Sequence, residues 1–134
     1  HVFDFYKQLL ADPTQLKVLG DGHQKKSYLY VQDCIDAIMC AITHSNDKIN
    51  IFNLGTNEYC EVNDSISWIC KYLGLNPTLH YTGGERGWVG DNPFIFLDCS
   101  KIRSLGWRPK YSIKEGIIKT VEYLQKNQWV FERR

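Results

Sequence analysis

The residues best suited to bind a charged ligand lie in one glycine-rich stretch, residues 83–93, which reads GGERGWVGDNP. Glycines let a backbone approach a ligand closely, and an arginine can bind an anion through two parallel N–H groups. Arg86 is therefore a candidate for binding a pyrophosphate, with Asp91 orienting that arginine or accepting from a ribose hydroxyl. The alternative is a surface Arg–Asp pair that braces a flexible loop, and residue types alone leave both interpretations open.

A second candidate site lies in residues 16–31, which read LKVLGDGHQKKSYLYV. A strand that includes Val18 could offer backbone groups to a flat base, and Lys26 could then face a phosphate. The glycines at positions 20 and 22 predict a turn between these two residues. The alternative is a hairpin turn followed by a pair of solvated lysines.

The sequence carries no catalytic motif of its own. No Gly-x-Gly-x-x-Gly follows a predicted strand, so we assign no dinucleotide-binding residue, and no Gly-x-Ser-x-Gly is present. No Tyr-x-x-x-Lys pair occurs either, because Tyr111 is followed four residues later by Glu115, and Tyr72 by Asn76. We therefore predict binding residues here and no catalytic ones.

Composition limits the class of partner. The 134 residues carry a net charge of +1, which argues against a nucleic-acid surface, and no apolar run approaches the length that spans a bilayer. The five cysteines are never spaced as Cys-x-x-Cys, which predicts free thiols in a reducing, cytoplasmic compartment and no zinc site. The four histidines have no partner at metal-ligand spacing, so we predict no bound metal.

Hydrophobic periodicity predicts a single mixed α/β unit with short strands. A capping box at Ser112–Glu115 marks the last helix, Gly74 is expected to end an earlier one, and Asp33 to cap another. Trp107 is expected in the core, and Trp88 is expected to pack against its own domain. The predicted helices cover residues 2–11, 33–42, 63–73, 99–105 and 112–124, and the predicted strands 16–19, 27–31, 49–54 and 78–81.

The order of these motifs resembles the C-terminal part of the extended short-chain dehydrogenase/reductases that act on nucleotide sugars, most closely the UDP-glucose 4-epimerase-like group. The resemblance runs over residues 1–124, nearly the whole chain. The segments that carry it are 18–22, 26–33, 52–56, 90–93, 97–102 and 105–109.

The resemblance implies a domain assignment. Enzymes of this family have an N-terminal Rossmann domain that holds NAD and the Tyr-x-x-x-Lys pair, and a smaller C-terminal domain that holds the nucleotide diphosphate. Residues 1–134 are therefore expected to be the small mixed α/β nucleotide-sugar-binding domain, with the Rossmann core absent. The start at His1, with no methionine, favours a fragment of a longer enzyme.

The resemblance also implies roles for individual residues. The stretch around Val18 would lie along the base, Lys26 and Arg86 would bind the diphosphate, and Asp91 would support the site. Two features depart from the family pattern. Position 26 is usually arginine, whose planar fork a lysine ammonium does not reproduce, and the spacing from Arg86 to Asp91 is longer than in the simplest family motif.

For the full-length enzyme, the implied activity is an NAD-dependent 4-epimerase. The sugar would be oxidised at C4, the 4-keto intermediate would rotate, and hydride would return to its other face. The expected substrate is a UDP-sugar, and the expected assembly is a homodimer formed through Rossmann-domain helices. The alternatives are a nucleotide-sugar 4,6-dehydratase or reductase of the same family, or a binding module without catalysis.

Overall fold

The computed structural model describes residues 1–87, 90–92 and 94–133 of the chain. Trp88, for which packing against its own domain was predicted, lies outside the described residues. The helices are α1 (Val2–Ala11), α2 (Val31–His44), α3 (Val62–Leu73), α4 (Ser100–Ser104), α5 (Ile113–Lys126) and α6 (Trp129–Glu132). The strands are β1 (Gln15–Val18), β2 (Lys25–Lys26), β3 (Cys60–Glu61) and β4 (Thr78–Tyr81).

Local sequence signals place the ends of the best-defined helices. The capping box before α5 is confirmed: the Glu115 backbone N–H donates to the Ser112 hydroxyl over 3.2 Å, and the Ser112 N–H donates to the Glu115 carboxylate over 2.8 Å. Gly74 ends α3 with a φ of 68°, a conformation that glycine adopts without steric cost. The predicted strand over 78–81 is confirmed as β4.

Two small sheets of two strands each occur in the described part of the chain. Strands β1 and β4 pair in parallel, with Leu16 opposite Leu79 and Val18 opposite Tyr81, and strands β2 and β3 pair antiparallel. Helices α1, α3 and α5 cover the parallel pair. Their apolar faces form the main core, which includes Phe5, Tyr6, Leu9, Leu16, Val18, Ile66, Ile69, Ile117, Val121 and Leu124.

A smaller core lies around Trp107. The indole is buried, as predicted, and it packs with Ile102 of α4, with Cys99 and with Ala37 of α2. The C-terminal residues form α6, where no regular element was predicted, because Phe131 stacks on Phe3 of α1 with ring centroids 4.9 Å apart. None of the described helices is long and apolar enough to cross a membrane.

The expectation that Asp33 caps α2 is wrong. The helix begins at Val31 after Tyr30, whose side chain makes no capping hydrogen bond, so Asp33 falls inside the first turn. The Asp33 side chain is fully buried, and its carboxylate accepts from the backbone N–H groups of Lys110 over 3.0 Å and Tyr111 over 3.2 Å. The aspartate thus anchors the segment that leads into α5.

Two strand predictions are also wrong. The segment 27–31 is extended but unpaired up to Tyr30, and the paired residues are Lys25–Lys26 just before it. The apolar segment 49–54 forms no strand either. A strand requires a neighbouring strand to satisfy its backbone groups, and none of the described residues pairs with this segment.

The helix predicted over 33–42 forms as part of α2, but the described residues do not bury its large apolar side chains. Only Asp33 and Ala37 of this helix are buried, and Ile42 is 69% exposed. The other large apolar residues exposed on α2 and on the adjoining segment are Val31, Ile35, Ile38, Met39, Ile49 and Ile51. We call these seven residues, Ile42 included, the open apolar face.

Replacing the buried aspartate should destabilise the fold strongly. Asp33→Ala leaves two backbone N–H groups without their acceptor, so we expect the free energy of unfolding to fall by about 2–4 kcal/mol. The matched control is Asp36→Ala, one turn further along α2, which removes the exposed ion pair between Asp36 and the Lys110 ammonium (2.6 Å). That change should cost much less, because an exposed ion pair contributes little net stability. Urea unfolding measures both, and equal losses would contradict the anchoring role of Asp33.

Candidate functional site

The site is built where β1 ends. The turn that follows has positive φ at Gly20 (85°) and Gly22 (83°), which explains the two glycines predicted to turn the chain. The Gly20 N–H donates to the Thr82 hydroxyl over 2.8 Å, and the Thr82 N–H donates to the Val18 carbonyl over 3.0 Å. The start of the glycine-rich stretch is therefore held against the turn after β1.

Val18 itself faces the core. Its side chain is fully buried, and its carbonyl already accepts from Thr82. The neighbouring residues Lys17 and Leu19 line the cleft beside this edge. The role of Val18 in binding a base stays a prediction.

Two glutamine side-chain amides form hydrogen bonds with backbone groups in β1 and just after it. The Lys17 N–H donates to Gln8 Oε1 over 3.0 Å, and Gln8 Nε2 donates to the Lys17 carbonyl over 3.3 Å. Gln24 Nε2 donates to the Leu19 carbonyl over 2.9 Å. Sequence reasoning missed both glutamines, although Gln24 precedes Lys26 by two residues and so shares its face of an extended chain.

Lys26 and Asp91 form the central ion pair of the site. The Lys26 ammonium lies 2.5 Å from Asp91 Oδ1, and it also donates to the Asn92 carbonyl over 3.1 Å. The Lys26 side chain is only 21% exposed and that of Asp91 16%. Lys26 is therefore not the solvated lysine of the hairpin alternative, because its charge is directed at the glycine-rich stretch.

Arg86 lies in the glycine-rich stretch, and its backbone is close to the turn after β1. A Cβ atom on Gly20 would lie 3.3 Å from the Arg86 carbonyl carbon, so the glycine lets the two turns approach closely. The Arg86 residue is exposed, and its positive charge helps to lower the pKa of Asp91. Among the described residues, the ion pair of Asp91 is with Lys26 and not with Arg86, as the alternative of an Arg–Asp surface pair would require.

Opposing effects act on the pKa of Asp91. Burial raises it, and the hydrogen bonds from the Lys26 ammonium and from the Gly87 N–H (3.2 Å to Oδ2), together with the charges of Lys26 and Arg86, lower it. The lowering effects prevail, so the pKa lies below the ordinary value of an aspartate. Asp91 is therefore ionised at neutral pH and holds Lys26 in place.

Lys26, Gly87 and Asp91 line a cleft of about 300 Å³. Tyr28 contributes one wall, where its ring stacks on His1 with centroids 4.5 Å apart, and burial raises the pKa of its hydroxyl. The polar residues of the lining are His1, Asp4, Gln8, Lys17, Gln24, Lys26, Tyr28 and Asp91. Such a cleft, lined by the Lys26 ammonium and by the side-chain amides of Gln8 and Gln24, suits a ligand that carries both anionic and neutral polar parts.

The described residues do not provide a site for a dinucleotide or a metal. None of the helices in residues 1–87, 90–92 and 94–133 starts from a glycine-rich turn that follows a strand, which is the unit that binds a dinucleotide pyrophosphate. Nor do three His, Cys, Asp or Glu side chains in these ranges come together in a way that could hold a metal ion.

Comparison with known families identifies the chain. The model of the GDP-mannose 4,6 dehydratase family matches residues 1–120. The chain belongs to this family of extended short-chain dehydrogenase/reductases. Its relatives include NAD-dependent UDP-sugar epimerases and dehydratases, and NAD is the cofactor of the family.

Two curated relatives show the range of activities. A putative UDP-glucose 4-epimerase of Methanocaldococcus jannaschii is 33% identical over 123 residues, which are 92% of this chain and 38% of the relative. A protein of Arabidopsis thaliana is 32% identical over 119 residues, 85% of this chain and 17% of its own length. That protein is a trifunctional UDP-glucose 4,6-dehydratase, UDP-4-keto-6-deoxy-D-glucose 3,5-epimerase and UDP-4-keto-L-rhamnose reductase.

Solved structures of this family share the fold. The UDP-glucose 4-epimerase of Thermotoga maritima, solved with UDP-glucose, matches with a TM-score of 0.80 and 30% identity over 95% of this chain and 40% of that one. The UDP-glucuronic acid 4-epimerase of Bacillus cereus, solved with UDP-glucuronic acid and NAD, matches with a TM-score of 0.79 and 26% identity. It aligns with 93% of this chain and 39% of its own. The predicted fold class, a small mixed α/β domain of an extended short-chain dehydrogenase/reductase, is thus confirmed. The chain spans about 40% of the length of these enzymes.

The pKa of Asp91 should depend on Lys26. We expect the Asp91 carboxylate to titrate below the ordinary 3.8, so the ion pair stabilises the fold at neutral pH and is lost as the pH falls through this lowered value. Lys26→Met should raise the pKa, since it removes a hydrogen bond and a charge. Lys25→Met, which alters the neighbouring lysine on the opposite face of β2, should leave it unchanged. Carboxyl-carbon NMR titration measures the Asp91 pKa in the wild type and in both variants. An Asp91 pKa that Lys26→Met leaves unchanged would contradict the pairing.

Proposed function

We propose that this chain is the nucleotide-sugar-binding portion of an NAD-dependent epimerase of the UDP-glucose 4-epimerase type. The observation that carries the proposal is the partly buried Lys26–Asp91 ion pair in the cleft, with Arg86 in the adjoining turn near enough for its charge to lower the pKa of Asp91. Lys26 and Arg86 would each bind one phosphate of a nucleoside diphosphate. Family membership and the epimerases among the relatives support the same substrate class.

In this proposal the chain supplies binding and orientation. The Lys26 ammonium would exchange part of its contact with Asp91 for a phosphate oxygen, and the Arg86 guanidinium would bind the same diphosphate from the solvent side. Asp91, held by the Gly87 N–H, would keep Lys26 oriented during the exchange. Binding energy at the diphosphate, remote from the reacting carbon, would then fix the position of the sugar.

The cofactor would be bound elsewhere in a longer protein. NAD supplies the hydride chemistry of this family, but the described residues have no element that fits its pyrophosphate. We therefore assign no catalytic residue to this chain. As in other proteins with this architecture, we expect an N-terminal Rossmann domain to hold the cofactor and to form the dimer contacts of a cytoplasmic homodimer.

The open apolar face supports this assignment to a larger protein. Seven large aliphatic side chains exposed on α2 and the segment that follows it are more than a surface that stays in water usually carries. The segment 49–54 also has a strand-forming sequence without a partner strand among the described residues. Sequencing the codons upstream of His1 would test the proposal: a stretch encoding a Rossmann domain supports it, and a start codon at His1 would favour a separate binding module.

The second candidate activity is 4,6-dehydration of a nucleotide sugar. It is favoured by the dehydratase activity of the Arabidopsis thaliana relative, which is nearly as similar as the epimerase of Methanocaldococcus jannaschii. Both reactions use the same diphosphate contacts, so the product distinguishes them. Incubation of the longer enzyme with UDP-glucose, followed by proton NMR, would show the C4 epimer for an epimerase and a 4-keto-6-deoxy sugar for a dehydratase.

Binding of UDP should depend on both cations. We expect Arg86→Ala and Lys26→Met each to weaken UDP binding about 10-fold or more, because each removes a charge-assisted hydrogen bond to the diphosphate. A higher salt concentration should also weaken UDP binding by the wild type, because salt screens the attraction between the cations and the diphosphate. Isothermal titration calorimetry on the 134-residue chain measures both effects.

Lys25→Met is the matched control for this experiment. The Lys25 ammonium lies 5.2 Å from the Tyr59 ring centroid, on the opposite face of β2 from Lys26, and its loss should change UDP affinity by less than about twofold. A folded chain that does not bind UDP, or one in which all three variants bind equally well, would contradict the proposed site.

The open apolar face should limit solubility. We expect Ile42→Lys to raise the solubility of the chain with little change in its melting temperature, because Ile42 is exposed and no described residue buries it. Ile69→Ala, which truncates a fully buried residue, is the contrasting variant and should lower stability by about 2–5 kcal/mol. Loss of stability in Ile42→Lys would show that the face is covered within the chain itself.

A further inference from the structure

The turn after β1 rests on the start of α3. The first N–H groups of a helix have no partner within the helix, and here two of them donate to this turn. The Val62 N–H donates to the Gln24 carbonyl over 3.2 Å, and the Asn63 N–H donates to the Gly22 carbonyl over 3.0 Å. Helix α3 is itself fixed in the main core, where Ile69 is fully buried. The turn is therefore held by a rigid element.

The Asn63 side chain makes a second contact, with the end of β4. Its Oδ1 accepts a hydrogen bond from the Tyr81 hydroxyl over 2.8 Å. The same amide packs against Gly22, where the lack of a side chain leaves the space, because a Cβ atom there would overlap the amide. Asn63 thus contacts both the turn after β1 and the last residue of β4.

Tyr81 is important because the glycine-rich stretch starts directly after β4. Thr82 and Gly83 come next, and both are hydrogen-bonded to Gly20. The Gly83 N–H donates to the Gly20 carbonyl over 3.0 Å, so these bonds attach the stretch to one end of the turn. Asn63 attaches it to the other end of the turn. Two separate attachments fix an orientation that a single attachment would leave free to rotate.

This orientation matters for a diphosphate because the two cations lie on different sides of the joint. Lys26 follows the turn after β1, in β2, and Arg86 lies in the glycine-rich stretch. A ligand that contacts both cations needs a fixed spacing between them. If some molecules lose that spacing, the apparent affinity falls in proportion to the fraction that keeps it.

Building on the proposed function, we propose that Asn63 is a positioning residue for the diphosphate site, which acts through the Tyr81 hydroxyl and not through contact with the ligand. It sets the spacing between the turn that leads to Lys26 and the stretch that carries Arg86. A residue with a purely structural role would change the stability of the fold and leave the affinity of the folded chain unaltered.

The smallest change that tests the proposal is Tyr81→Phe, which removes the hydroxyl and keeps the ring. Because Tyr81 is 44% exposed, we expect little change in melting temperature. The affinity for UDP, measured by isothermal titration calorimetry on the 134-residue chain, should fall about fivefold, the effect of one neutral hydrogen bond. Asn63→Ala should weaken binding similarly. The double variant should bind no more weakly than either single variant, since both changes remove the same bond.

Tyr72→Phe is the matched control. Tyr72 lies on the same helix as Asn63 and is 42% exposed, but its hydroxyl donates to Glu122 of α5 over 3.5 Å. Its loss should therefore leave the UDP affinity unchanged. Asn63→Asp is the conservative variant, which keeps the shape of the side chain and an acceptor for the Tyr81 hydroxyl. It should bind UDP nearly as tightly as the wild type does.

The outcomes separate this inference from the function on which it rests. A folded Tyr81→Phe chain that binds UDP as tightly as the wild type overturns the positioning role and leaves the proposed function standing, even where Asn63→Ala does not fold. Additive losses in the double variant also overturn it, because the two side chains then act through different contacts. Equal losses in Asn63→Asp and Asn63→Ala overturn it as well, since the aspartate retains the acceptor. No UDP binding by the folded wild type overturns the proposed function, and the inference with it.

Discussion

The ion pair between Lys26 and Asp91 is the contact on which the candidate site depends. It joins β2 to the far end of the glycine-rich stretch, whose near end is already tied to β1 through Thr82 and Gly20. Partly buried ion pairs contribute little net stability, since the Coulombic gain is offset by desolvation, but they fix geometry. The main effect of this pair is therefore to hold the glycine-rich stretch, which carries Arg86, beside Lys26.

Structural features that are specified by a few neighbouring residues could be predicted from the sequence. The Ser112–Glu115 capping box, the left-handed glycine at position 74 and the double-glycine turn after β1 all appear as expected, because each is specified by local backbone chemistry. The segment 49–54 and the role of Asp33 were misjudged for the opposite reason. Their structural state depends on distant partners, and a carboxylate that anchors residues 77 positions away leaves no local pattern.

The candidate site shows the same difference between features set by neighbouring residues and features set by distant ones. Lys26, Arg86 and Asp91 were candidates because charge beside glycine indicates an anion site, and the structure brings them together, although their roles in binding remain untested. The two glutamine amides were missed because nothing in residue type separates a glutamine on the surface from one that binds a strand edge. Their hydrogen bonds are made with the backbone of Lys17 and Leu19, and Gly20 leaves the space for the Gln24 amide.

The parallel pairing of β1 with β4 has a kinetic consequence. Gln15 lies opposite Thr78, so this ladder closes a loop of about 60 residues, and contacts between residues so far apart along a chain form slowly because the entropy of loop closure is lost first. Both turns of the cleft start from the ends of these two strands. The cleft should consequently be among the last parts of the molecule to assemble, and a folding intermediate rich in helices would lack it.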